Sequence, residues 1–149
     1  MKLSSPEFKN GYAIPSEYTC DGKNIPPELI IEDIPENTKT LALIMDDPDA
    51  PSGTFVHWLV WNIPKETKGI KKGEKIFYPQ GKNDFQKNSY GGPCPPSGMH
   101  RYFFKLFALD ASLDIIENSK KADLEEAMRG HIILQAHLVG TYQRVIQKV

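Results

Sequence analysis

Four side chains able to carry acid–base or anion chemistry stand where apolar runs give way to proline turns. Asp47 opens Asp47-Pro-Asp-Ala-Pro51, and His57 is the one ionisable group inside Phe55-Val-His-Trp-Leu-Val-Trp-Asn62. His100 and Tyr102 follow a glycine and proline loop, Tyr90-Gly-Gly-Pro-Cys-Pro-Pro-Ser-Gly-Met99. Residues two apart in an extended chain share a face, so His100 and Tyr102 point the same way. If the segments that carry them are neighbouring strands, all four groups converge. A carboxylate beside two imidazoles favours the protonated rings and predicts raised histidine pKa values. Two such rings, a phenol and the amides of a glycine loop make a site for a small anion, phosphate or a phosphoethanolamine-like head group. Asp47 would then hold an imidazolium or take the ammonium of a zwitterionic ligand. A single buried histidine is more often a satisfied core residue, so the joint placement carries this reading.

Other chemistries meet the same residues less well. Two histidines and an aspartate can form a metal triad, but no short ligand spacing supports one, and neither metal nor cofactor is expected. A nucleophilic enzyme would need Cys94, six positions before His100, while Ser52 and Ser97 lie in no nucleophile-elbow pattern. A hydrolase using His57 or His100 as base therefore lacks a placed nucleophile, and the chain reads as a binding protein, not an enzyme. Cys20 and Cys94 are read as two reduced thiols. The alternative is a bridge between them, closing a long loop and stabilising by roughly 4 kcal/mol.

Short strands must position these groups. The 12 prolines cut the 149 residues into segments of strand length, which favours a mainly β domain spanning 1–149. Strands are expected over 28–33, over 40–46 with apolar residues on both faces, over 55–62 and over 102–109. His57 is expected to share its face with Phe55, Leu59 and Trp61. The polar stretch 65–89 reads as a long surface connection. A helix is expected over 119–129, with Ser119 or Asp123 as cap and Gly130 as stop. A last strand over 131–142 should bury Ile132, Leu134, Ala136, Leu138 and Tyr142 and leave His131 and His137 wet.

Composition narrows the partners. With 18 basic and 19 acidic residues and a net charge of −1, the chain shows no basic stripe, which argues against nucleic acid. No stretch approaches a membrane span and the N-terminus has no apolar leader core, so a cytoplasmic location is expected. Exposed aromatic surface leaves a homodimer open.

Taken together, Asp47-Pro-Asp-Ala-Pro51 with His57-Trp-Leu-Val60, Gly81-Lys-Asn-Asp-Phe85, and Tyr90-Gly-Gly-Pro-Cys-Pro-Pro96 through His100-Arg-Tyr102 resemble the phosphatidylethanolamine-binding protein family. The likeness is strongest to its bacterial and archaeal branch, often called Raf kinase inhibitor-like, and runs from Tyr18-Thr-Cys-Asp-Gly22 to Gly140-Thr-Tyr142. The resemblance implies a large antiparallel sheet packed on a smaller one, with one or two short helices and a shallow anion pocket. Carried over by position, that pocket comprises Asp47, His57, Pro95, His100 and Tyr102. The resemblance also implies a regulatory or inhibitory role toward a kinase or serine peptidase partner, and a peptidase inhibitor acting through surface loops is the alternative function. Two departures stand out. No helix is expected after the final strand, unlike in animal members, and Gln86 replaces the glycine common after Asn-Asp-Phe.

Overall fold

The computed structural model describes residues 1–145; residues 146–149, for which no helix was expected, lie outside the described part. Seven strands and one helix follow in the order β1 (Lys2–Ser4), β2 (Leu29–Glu32), β3 (Thr40–Asp47), β4 (Phe55–Pro64), β5 (Gly69–Ile70), β6 (His100–Leu109), α1 (Lys121–Met128) and β7 (Ile132–Tyr142). A four-stranded antiparallel sheet has the order β4-β3-β6-β7, and a three-stranded one the order β1-β2-β5.

The large sheet is covered on both faces. Leu41, Leu43, Met45, Trp58, Val60, Tyr102, Phe104 and Leu106 meet Leu3, Leu29, Ile31 and Ile70 of the small sheet in one core. On the opposite face Ala42, Ile44, Leu59, Trp61, Phe107 and Leu109 pack with Leu124 and Met128 of α1. Alternation of side chains along β3 feeds both layers, which is why its sequence is apolar throughout. α1 starts where Lys120 N–H donates to the Asp123 carboxylate at 2.9 Å, and Gly130 at φ +80° ends it. Of the two expected caps, Ser119 instead turns its hydroxyl back to the Ile116 carbonyl.

Three expectations need correction. Between Met45/Trp58 and Asp46/Val56 the β3–β4 register slips by one residue, and the extra residue is His57. This β-bulge turns His57 onto the same face as Phe55 and Trp58, against Tyr102, while Leu59 and Trp61 go to the helix layer. The stretch 65–89 is no simple surface connection. It contributes β5, a bridge from Gln80 to Val60, and the buried Asn83. In β7, Ile132 and Leu134 are 43% and 46% exposed, because β7 is the edge strand of the large sheet.

Candidate functional site

Adjacency of β4, β3 and β6 brings Asp47, His57 and His100 together at one end of the large sheet. Asp47 closes β3, His57 projects from the bulge in β4, and His100 and Tyr102 begin β6 on one face. Asp47, His57 and His100 are only 3%, 3% and 6% exposed, and Tyr102 is 0% exposed. All four line a cavity of about 520 Å³ that Pro95, Pro96, Phe55, Phe85 and Asp84 help to enclose. Each of the five residues expected from the sequence, Pro95 included, thus faces the same hollow.

Hydrogen bonds orient both rings. His100 Nδ1 lies 2.6 Å from Asp47 Oδ2, and Asp47 Oδ1 accepts the Asp49 amide at 2.8 Å. His57 Nδ1 lies 2.6 Å from the Gly91 carbonyl oxygen. A carbonyl only accepts, so His57 Nδ1 carries the proton and donates; the Asp47 carboxylate imposes the same tautomer on His100. In both rings Nε2 is the nitrogen left for a ligand. Asp47 is therefore engaged with His100 and the turn that follows β3.

For His57 the expectation of a raised pKa is overturned. Burial among Phe55, Phe85 and Tyr102 pushes the His57 pKa below its ordinary value, and the Gly91 carbonyl and Asp47 only partly oppose this. Tyr102 is pushed the other way, its pKa raised first by burial and then by Asp47. The Asp47 carboxylate and the Cys94 amide are near enough to bias the Tyr102 hydroxyl, yet neither meets hydrogen-bond geometry, and that buried oxygen has no partner among the described residues. At the rim, Arg101 grips Asp49 through Nε and Nη2 at 2.9 and 2.8 Å and holds the Asp49 pKa down at about 2.

The proline wall is tied back covalently. Cys20 and Cys94 are bridged, their Cα atoms 5.4 Å apart. The reading of two reduced thiols is thereby overturned, and Cys94 holds no thiol for nucleophilic chemistry. The bridge weighed as the alternative is the one formed, across a separation of 74 residues over which local sequence cannot show that the two approach. Gly92 makes the same junction possible: a side chain there would run into the Tyr18 carbonyl and Asn24. Gly98, at φ +71°, turns the loop into β6.

One positioning residue escaped the sequence reading. Asn83 is 2% exposed; its amide donates to the His57 and Ser89 carbonyls at 3.0 and 2.8 Å and accepts from Phe85 and Lys87 N–H. It holds the loop that carries Phe85 against the backbone of His57. The only signal for it was its place in Gly81-Lys-Asn-Asp-Phe85. Gln86, after that motif, takes φ +64°, a conformation that favours glycine. Among the described residues no group of three or more His, Cys, Asp or Glu is placed to share a metal ion, and no helix is long and apolar enough to cross a membrane.

Comparison with known proteins agrees with this architecture. The family model described as phosphatidylethanolamine-binding protein matches residues 4–143. A UPF0098 protein of Aquifex aeolicus is 51% identical over 152 residues, covering 97% of this chain and 89% of that one. One from Methanothermobacter thermautotrophicus is 47% identical over 150 residues, covering 97% and 99%. The crystal structure of a putative phosphatidylethanolamine-binding protein homolog from Chlamydia trachomatis superposes with a TM-score of 0.94 at 41% identity, covering 97% of each chain. E. coli YbcL, described as a new member of the mammalian PEBP family, gives a TM-score of 0.89 at 30% identity, covering 97% of this chain and 98% of its own. Two packed antiparallel sheets, one helix and a match over nearly the whole length place this chain in the phosphatidylethanolamine-binding protein family.

Proposed function

We propose that the protein is a non-enzymatic binding protein whose cavity takes a small anion, inorganic phosphate or a phosphoethanolamine-like head group, with Asp47, His57, Pro95, His100 and Tyr102 as its ligand-binding residues. The observation that carries this reading is the Tyr102 hydroxyl, fully buried on the cavity wall beside two imidazoles and without a protein partner. A buried hydroxyl left unpaired costs about 1–3 kcal/mol, which an anion oxygen accepting its hydrogen bond recovers. Each ring offers Nε2 to the same ligand, His100 being oriented by Asp47 through Nδ1.

Among the described residues no lysine or arginine lines the cavity, so the positive charge available there comes from the rings. With the His57 pKa lowered, an anion brings a proton with it or draws one from solvent. The mostly apolar wall of Phe55, Phe85, Pro95 and Pro96 strengthens these few polar contacts by excluding water. Calorimetric titration with phosphate and with phosphoethanolamine tests the reading: saturable binding supports it, and no heat with either at about pH 6, where a free histidine is mostly charged, removes it.

A further inference from the structure

The cavity wall formed by residues 93–99 poses a mechanical problem. Pro93, Pro95 and Pro96 have no amide proton, so this wall cannot be laced to the body by the usual backbone ladder. The Pro93 carbonyl accepts the Cys20 N–H at 3.1 Å, and the next ladder partner is His100, opposite Tyr142. Between them, residues 94–99 form no hydrogen bond with other described residues, backbone or side chain, that meets bonding geometry. The covalent tie in that gap is the bridge from Cys94 to Cys20. Cys20 itself belongs to a well-anchored segment. Its neighbour Tyr18 is fully buried and accepts the Tyr90 hydroxyl on its carbonyl at 2.6 Å, and Asn24 accepts the Gly92 N–H at 2.8 Å.

Cys94 also lines the cavity, between Pro95 and the Tyr102 hydroxyl that its amide approaches. We infer that the Cys20–Cys94 bridge is the positioning element of the anion cavity, so that its reduction loosens the proline wall and lowers ligand affinity while the sheets stay folded. This rests on the anion-binding reading above. Both cysteines are half-buried. One reductant thiolate attacks a bridge sulfur and forms a mixed disulfide, releasing the other cysteine as a thiol. The second reductant thiol then displaces the remaining cysteine. Two electrons and two protons pass from dithiol to protein, and the reductant leaves as its own disulfide. Reoxidation restores the wall, which makes the anion site responsive to thiol redox poise.

The test is phosphate titration of the full chain before and after dithiothreitol, with amide NMR recorded on the same samples. The expected result is saturable binding in the oxidised protein, affinity about tenfold weaker after reduction, retained dispersion of β3, β4 and β6 amides, and recovery on reoxidation. A Cys20→Ser/Cys94→Ser variant should bind as weakly as the reduced chain whether or not reductant is present. Equal or tighter binding after reduction overturns the inference. So does wholesale loss of amide dispersion in the reduced wild-type chain, which would make the bridge a staple of the whole fold. No binding by the oxidised protein removes the anion reading and this inference with it.

Discussion

Asp47 and Asp46 are neighbours in sequence and lie on opposite sides of one sheet. Asp47 is bound to His100 at 2.6 Å inside the cavity, whereas Asp46, beneath the helix layer, accepts Lys105 and Lys121 at 3.0 and 2.8 Å. The alternation of β3 gives two nearly identical carboxylates separate tasks. Asp47→Asn keeps the shape but removes the charge that His100 Nδ1 faces. Phosphate affinity should fall by about ten- to a hundredfold, the worth of a charge-assisted hydrogen bond. Asp46→Asn should leave affinity unchanged and lower stability by about 1–3 kcal/mol, since two partly buried lysines lose their counter-charge. Calorimetry and denaturant unfolding of both variants check the contrast.

Tyr102→Phe separates binding from stability. Its hydroxyl is buried and unpaired in the protein itself, so deleting it should leave the unfolding free energy unchanged or raise it by about 1 kcal/mol. Phosphate affinity should nevertheless drop. A loss of stability of several kcal/mol would show that the hydroxyl holds the fold and not the ligand.

The lowered pKa of His57 gives stability a defined pH dependence. The unfolded chain binds a proton at this histidine near the ordinary value of about 6.5, while the folded chain refuses it until a lower pH. Folded stability is then complete above that value and declines as pH falls below it. Denaturant midpoints should therefore fall between about pH 7 and pH 5, and the fall should shrink in His57→Asn. Phosphate affinity runs the opposite way and weakens as pH rises, because anion binding takes up a proton. Titrations near neutral pH in buffers of different ionisation enthalpy should show that uptake.

How much of this was legible in the sequence depended on element length and on covalent geometry. β3, β4 and β6 run 8 to 10 residues and are apolar enough that propensity and burial agree. β1 and β5, of three and two residues, are too short for any periodicity and exist through their pairing with β2. Asp47, His57, His100 and Tyr102 could be expected together because each interrupts or ends an apolar run. The bulge at His57 has no marker residue, so strict alternation assigned that ring to the face of Leu59 and Trp61. Leu134 was expected inside because periodicity reports a face, and no alternation shows that a strand lies at a sheet edge. The bridge and Asn83 depend on loops returning from distant parts of the chain, and local sequence does not encode that return.

If one ligand meets the two cavity imidazoles, the chain's four histidines supply the control for it. His57 and His100 are buried in the cavity, while His131 and His137 are exposed on or beside β7. The direct measurement is a phosphate titration followed by NMR at all four rings. His57 and His100 signals should move along a single saturating curve, with the largest shifts at the Nε2 resonances, while His131 and His137 respond only weakly and without saturation. Saturable shifts confined to the two exposed rings, or no response at His57 and His100, would contradict a shared ligand.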